Sequence, residues 1–286
     1  MKATRPTDLK ALLAQANARP SRRLGQNFLI DENIARIAID AAALTSGEQV
    51  LEIGPGAGAL TEGLLERGVH VLAVEKDERL ATLLQARWGD ENRIEVRLAD
   101  ALDLTPEELL RHGAIQTVIS NLPYSSGTRI LVSLVTAAEP PQRIVATLQT
   151  EVAQRIAADP GCPEYGLLAI WVQRLYRIEI LRKVSATCFY PAPEVESTLF
   201  RLSRRISPLA GVKDPKRFLS FTRWVFQYRR KQMSRILSRL PATLGRLDAS
   251  PAEWLERLQI SPQMRPGDLP VKTWALLSNA LSDPGS

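Results

Sequence analysis

Between residues 49 and 149 the chain alternates short, apolar, β-branched runs with longer stretches of helical periodicity. Gln49–Ile53, Val69–Glu75, Ile94–Leu98, Thr117–Ser120 and Arg143–Leu148 read as strands, and the segments between them are long enough to return each chain in parallel. Val71, Leu72, Ala73 and Val74 form a continuous apolar run, the pattern of a strand covered on both faces. The pattern predicts an α/β chain with a doubly wound sheet. Beyond Glu151, Leu167–Gln173 reads as a buried helix, and Arg177–Val184 and Ser197–Leu202 as the antiparallel pair with which such sheets often end. The polar stretch from Ser203 to Pro215 holds Pro208 and Gly211 and reads as a linker. After it, Phe218, Phe221 and Val225, then Ile236, Leu237 and Leu240, offer apolar faces to helices. Two domains are therefore expected, residues 1–206 and a small helical one at 207–286. Residues 1–20, with Pro6 and Pro20 and no lasting periodicity, read as a partly ordered leader.

Composition changes this picture little, whereas the distribution of charge changes it a good deal. Hydrophobic residues at 45% and charged ones at 24% are ordinary for a folded domain and argue against disorder. No apolar run approaches the ~20 residues of a membrane span, and Met1–Pro6 lacks a signal core, so a cytoplasmic protein is expected. Cys162 and Cys188 lie outside any CxxC spacing, and His70 and His112 have no ligand-like neighbours, so neither a disulfide nor a metal site is expected. Residues 1–200 carry 21 Lys and Arg against 25 Asp and Glu, while the remainder carries 16 against 6. Such a basic block suits a phosphate backbone, although solubilising surface reads the same way.

Val50-Leu51-Glu52-Ile53-Gly54-Pro55-Gly56-Ala57-Gly58 is a strand running into a glycine-rich turn, followed by a helical Ala59–Arg67. Three glycines in five residues favour a cofactor loop over a plain turn, because backbone can then approach a ligand closely. Gly54, Gly56 and Ala59 also satisfy the dinucleotide pattern, with Glu75 standing 21 residues after Gly54, so the loop alone leaves the cofactor open. Glu75 ends the second strand, where its carboxylate can take both hydroxyls of a ribose. Asp100, near the end of the third, is suited to accept from an adenine amino group.

The fourth strand ends in Ser120-Asn121-Leu122-Pro123-Tyr124. Asn-x-Pro is also common turn chemistry, and a tyrosine there could merely cap a core. Yet these residue types fit one reaction well. The adenine amino group is a poor nucleophile because its lone pair is delocalised into the ring. The Asn121 side-chain oxygen and the Leu122 carbonyl can hold its two hydrogens and favour a pyramidal nitrogen. Pro123 stiffens Leu122 and adds no competing N–H, and Tyr124 offers a stacking face.

On these motifs the chain resembles the small-subunit rRNA adenine N6,N6-dimethyltransferase family (KsgA type) over nearly its whole length. Arg22-Arg23-Leu24-Gly25-Gln26-Asn27-Phe28-Leu29, Glu52–Gly56 and Asn121–Tyr124 resemble that family's signatures. So do Glu151-Val152-Ala153 with Arg155-Ile156, Phe189-Tyr190-Pro191-Ala192-Pro193, Tyr228-Arg229-Arg230-Lys231 and Arg265-Pro266. The resemblance implies a Rossmann-like methyltransferase sheet with a C-terminal helical domain that docks on rRNA. It implies that Asn27, Leu29, Gly54, Glu75, Asp100 and Asn121 contact S-adenosyl-L-methionine, and that Phe189 stacks on the target adenine opposite Tyr124; ordinary core packing is the plainer reading of Phe189. It further implies dimethylation of two adjacent adenines in 16S rRNA on the ribosomal small-subunit precursor, by a monomer. Ser125, Ser126, Gly127, Thr128 and Arg129 depart from the family's usual continuation, and a more flexible loop is expected there. Glu164 and Glu194 stand where lysine is usual.

The reaction expected is direct displacement on a flipped or unpaired adenine, without a strong general base. A nicotinamide-dependent oxidoreductase would share the glycine loop, but no Tyr-x-x-x-Lys pair accompanies it. A non-catalytic ribosome assembly factor would keep the basic block and could ignore Asn121. A large-subunit rRNA adenine methyltransferase would share Asn121–Tyr124 but not the long C-terminal match.

Overall fold

The computed structural model describes residues 1–111 and 113–283, with the side chain of Arg22 excepted. His112 and residues 284–286 therefore lie outside the described residues. The chain forms two compact units, one of Met1–Ala153 and Arg177–Arg204, the other of Gln154–Tyr176 and everything from Arg205 onward.

The first unit is built on nine strands in chain order: β1 (Phe28–Leu29), β2 (Gln49–Ile53), β3 (His70–Glu75), β4 (Ile94–Leu98), β5 (Thr117–Asn121), β6 (Arg143–Gln149), β7 (Tyr176–Val184), β8 (Phe189–Tyr190) and β9 (Ser197–Arg204). Seven of them form one sheet in the order β4-β3-β2-β5-β6-β9-β7, and β1 and β8 form a separate antiparallel pair. Strands β2 to β6 are mutually parallel, and β9 returns antiparallel against β6, as the apolar runs predict. The order reverses between β2 and β5, so the carboxyl ends of β2 to β5 frame a crevice at the topological switch point. Buried side chains cover the central strands on both faces, Val50, Val71, Ala73 and Ile119 on one and Leu51, Leu72, Val74 and Val118 on the other.

Two expectations are corrected. The leader is ordered: Pro6–Gln15 is a helix whose Leu9, Leu12 and Leu13 are buried together with Phe28, Ala57 and Leu80. Spacings of three and one put these leucines on one helical face, and Pro6 is at home in the first turn. The domain division also differs. The boundary near residue 206 falls at 204/205, but residues 154–176 cluster with the C-terminal chain.

The reason lies in the packing of the second unit. Leu167–Leu175 is a helix that buries Trp171 and Val172, and the Trp171 indole N–H donates to Thr222 Oγ1 at 3.0 Å. The Tyr165 hydroxyl donates to the Leu269 carbonyl at 2.8 Å. The helices Pro215–Phe226 and Val271–Ala280 pack against Leu167–Leu175 with Phe218, Phe221 and Trp274 as the bulk of the core. Burying such aromatic and aliphatic groups together outweighs closeness in sequence. Among the described residues, no helix is long and apolar enough to cross a membrane.

Candidate active site

The strand ends of β2, β3, β4 and β5 open into a cavity of about 290 Å³. Its floor is the glycine loop. Gly54, Gly56 and Gly58 have φ of +65°, +61° and +90°, a region that residues with a Cβ rarely enter. A Cβ on Gly56 would also stand 2.9 Å from the Phe28 ring, and one on Gly58 2.4 Å from the Trp88 indole. At Gly56 and Gly58 packing against Phe28 and Trp88 thus excludes a side chain, and Gly54 and Gly56 line the cavity with backbone alone.

Glu75 ends β3 and is 5% exposed. Its carboxylate accepts the Gly56 N–H at 3.0 Å and the Asp77 N–H at 2.8 Å, which leaves acceptor capacity for a pair of hydroxyls. Burial raises its pKa above the usual range, although those backbone bonds oppose the shift. Asp77 accepts from the backbone N–H and guanidinium of Arg79 and, at 3.3 Å, from the Gln26 side chain. It thereby caps the helix Glu78–Trp88 and ties the Gln26–Leu29 segment to the end of β3. Asp100 accepts the Leu102 N–H at 2.9 Å and is ion-paired with Lys76. Desolvation pushes its pKa up, but Lys76, the Leu102 N–H and the charge of Arg129 together outweigh that and leave it below the ordinary value. Glu52, in the middle of β2, is 1% exposed and accepts from Thr61 Oγ1 at 2.7 Å. Burial is the main force pushing its carboxyl up to about 8, and nearby Glu75 adds to it.

Asn121 closes β5 at the opposite wall. Its Nδ2 donates to the Asn27 carbonyl at 2.8 Å, which fixes the plane of the amide. Its Oδ1 is buried and accepts no hydrogen bond among the described residues. A buried acceptor left without a donor costs about 1–3 kcal/mol, so this position calls for a ligand N–H or O–H. In the turn that follows, the Pro123 carbonyl accepts from Ser126 and Gly127, at 3.2 and 2.7 Å; the Leu122 carbonyl takes no part in closing it. The Tyr124 hydroxyl is hydrogen-bonded to Ser197 on β9, which anchors the half-buried ring.

Every expected site residue except Phe189 lines this cavity: Asn27, Leu29, Gly54, Glu75, Asp100 and Asn121 through Tyr124. Phe189 is 2% exposed and belongs to a core cluster with Leu29, Ile34 and Ile39, where it pairs with Leu29 across β1 and β8. The expected stacking ring is thus a packing residue here, behind the strand that follows Asn27. The loop at Ser125–Arg129 is also not the flexible one expected: a helix runs from Gly127 to Val135, and Gly127 sits so close that a Cβ would lie 2.5 Å from Leu148. Lys76 stands in none of the sequence motifs, and Gln26, Glu52, Arg129 and Ser197 enter there only as members of a motif or strand, without a role of their own in the site. For Lys76 a signal existed, since it directly follows the acid at a strand end. Among the described residues, no group of three or more His, Cys, Asp or Glu is placed to hold a metal ion.

The chemistry of these donors and acceptors fits S-adenosylmethionine: bare backbone under its charged end, Glu75 for its ribose and Asp100 for its adenine. The profile of the ribosomal RNA adenine dimethylase family matches residues 17–283. A ribosomal RNA small subunit methyltransferase A of Opitutus terrae is 39% identical over 95% of this chain and 97% of the relative. One of Clostridium perfringens is 34% identical over 95% and 94%. Among solved structures, a dimethyladenosine transferase from Plasmodium falciparum shares the fold, with a TM-score of 0.73 at 24% identity over 87% of this chain and 94% of that one. The 23S rRNA methyltransferase ErmE superposes with a TM-score of 0.63 at 27% identity over 89% and 99%. With the motifs, the cavity and these relatives in agreement, the chain belongs to the ribosomal RNA adenine dimethylase family, S-adenosylmethionine-dependent enzymes that methylate adenine in rRNA.

Proposed function

We propose that the chain dimethylates the N6 amino groups of two adjacent adenines in small-subunit rRNA, acting as a cytoplasmic monomer on the precursor of the small subunit. The observation that carries this reading is the orphaned Oδ1 of Asn121 in the wall of the cavity. Asn27, Leu29, Gly54, Glu75 and Asp100 hold the cofactor, which when bound supplies a methyl group on a sulfonium centre. Asn121 Oδ1 accepts one hydrogen of the adenine amino group and the Leu122 carbonyl the other. Both contacts strengthen as the nitrogen becomes pyramidal and positive, so they lower the barrier rather than merely bind the base. Tyr124 stacks on the ring, and its bond to Ser197 keeps it from following the base out. Phe189 supports this arrangement from behind, by holding the strand next to Asn27. The proton leaves to water once the nitrogen carries the methyl group.

The small-subunit target is favoured over the large-subunit one because relatives so named span 95% of the chain, C-terminal unit included. We assign docking on rRNA to that basic unit. Asn121→Ala should slow single-turnover methyl transfer roughly ten- to a thousandfold, as losing one polar transition-state contact does elsewhere, with RNA affinity nearly unchanged. A wild-type rate in this variant would show that the amino group is activated some other way.

A further inference from the structure

An adenine whose amino group reaches Asn121 brings its own backbone phosphates with it. The sugar joins base to phosphate within a few bonds, so the charge must come to rest at the rim of the same cavity. The rim therefore needs a cation, and the wall supplies one that the cofactor chemistry does not use. Glu75 and Asp100 are taken by ligand hydroxyls and amino groups, and Lys76 is paired with Asp100. Arg129 lines the cavity, is exposed, and takes part in no ion pair or side-chain hydrogen bond among the described residues. Its charge is felt at Asp100, so the guanidinium lies within electrostatic reach of the acid that follows β4.

Local structure sharpens the point. Arg129 sits in the first turn of the helix Gly127–Val135, where a cation opposes the helix dipole and an acid would be favoured. The N-cap, Ser126, gives no side-chain oxygen to the helix amides, and the first turn holds no acid. The fold thus concentrates positive potential at this spot, and the acid that feels it, Asp100, is already ion-paired with Lys76. The turn is also held firmly: Gly25 lies against Ser125 so closely that a Cβ would stand 2.7 Å from its hydroxyl oxygen. Arg23, also exposed and on the same wall, is carried by that neighbouring loop.

We propose that Arg129 binds a backbone phosphate of the nucleotide whose adenine enters the cavity, making it a substrate-positioning residue. The inference rests on the adenine reading given above. A guanidinium can grip a phosphate through two parallel hydrogen bonds, which an ammonium cannot copy.

The test is filter binding of the 3′-terminal small-subunit rRNA fragment to wild type, Arg129→Ala and Arg129→Lys, titrated at several salt concentrations. Calorimetric titration with S-adenosylmethionine runs alongside. Arg129→Ala should weaken RNA binding about ten- to a hundredfold, the range for a lost charged hydrogen bond. The slope of log affinity against log salt should flatten by about 0.7, one single-strand phosphate contact. Arg129→Lys should keep the slope but recover only part of the affinity, and cofactor affinity should stay within about twofold in both, since the contact is to RNA phosphate alone. An unchanged slope in Arg129→Ala overturns the proposal, as does a loss of cofactor affinity matching the loss for RNA, which would make Arg129 a cofactor ligand. Failure of the adenine reading shows itself separately, as full activity in Asn121→Ala, because the salt slope is measured without turnover.

Discussion

Glu52 offers the sharpest physical prediction. It lies between β3 and β5 in the centre of the sheet, at 1% exposure, and accepts from the Thr61 hydroxyl at 2.7 Å. Burial pushes its carboxyl from 4.5 up to about 8, so the folded protein holds this proton at neutral pH while the unfolded chain has lost it. The folded state then binds more protons than the unfolded one between those limits, and stability must fall as pH rises through that window. At 1.36 kcal/mol for each unit, the loss is about 3 kcal/mol by pH 7 and about 5 kcal/mol above pH 8. Glu52→Gln keeps the shape and an acceptor for Thr61 but carries no ionisable proton. Its advantage over wild type should grow from under about 1 kcal/mol at pH 5 to about 3 kcal/mol at pH 7, or roughly 5–10 °C in Tm. Urea unfolding of both cofactor-free proteins between pH 5 and 8 measures this directly. A difference independent of pH would refute the reasoning and mean that the carboxylate is already ionised in the fold.

Other expectations follow from single contacts. S-adenosylmethionine should raise the melting temperature by binding the folded state alone, and Glu75→Ala should shrink that shift; an equal shift in the variant would remove Glu75 from the site. Ser197→Ala should free the Tyr124 hydroxyl and lower kcat several-fold at unchanged RNA affinity, with an unaltered kcat counting against an anchored stacking ring. In the second unit, Arg229 donates to the Pro163 carbonyl at 2.9 Å in an exposed hydrogen bond, so Arg229→Ala should destabilise that unit by about 0.5–1.5 kcal/mol. Arg230→Ala with Lys231→Ala, both exposed residues, should instead weaken rRNA binding and flatten its salt dependence; slopes equal to wild type would leave the docking role without support.

The central strands were legible because a strand buried on both faces has to be written as an unbroken apolar run, and Val71–Val74 is one. The acids at the ends of β3 and β4 were legible for a related reason, since the carboxyl ends of parallel strands frame the crevice. What escaped depended on partners distant in sequence. Three leucines among Thr, Lys and Gln are too few to announce the helix Pro6–Gln15 until Phe28 and Leu80 supply the surface they cover. Phe189 reads as a stacking ring from its motif, yet pairing of β8 with β1 turns it into the core. The passage of residues 154–176 into the second unit depends on Trp171 and Tyr165 finding Thr222 and Leu269, which no local pattern encodes. The fixing of Asn121 by the Asn27 carbonyl is of the same kind, and it explains why the Gly25–Leu29 motif accompanies the Asn121–Tyr124 motif in one site.

The most direct measurement is transfer of tritiated methyl groups from S-adenosylmethionine to undermethylated small ribosomal subunits, followed by digestion of the rRNA and nucleoside analysis. The label should appear in N6,N6-dimethyladenosine, at two adjacent adenines, and should accumulate roughly ten- to a thousandfold more slowly with Asn121→Ala. Label in any other nucleoside, or transfer to large-subunit rRNA in preference to the small subunit, would contradict the account.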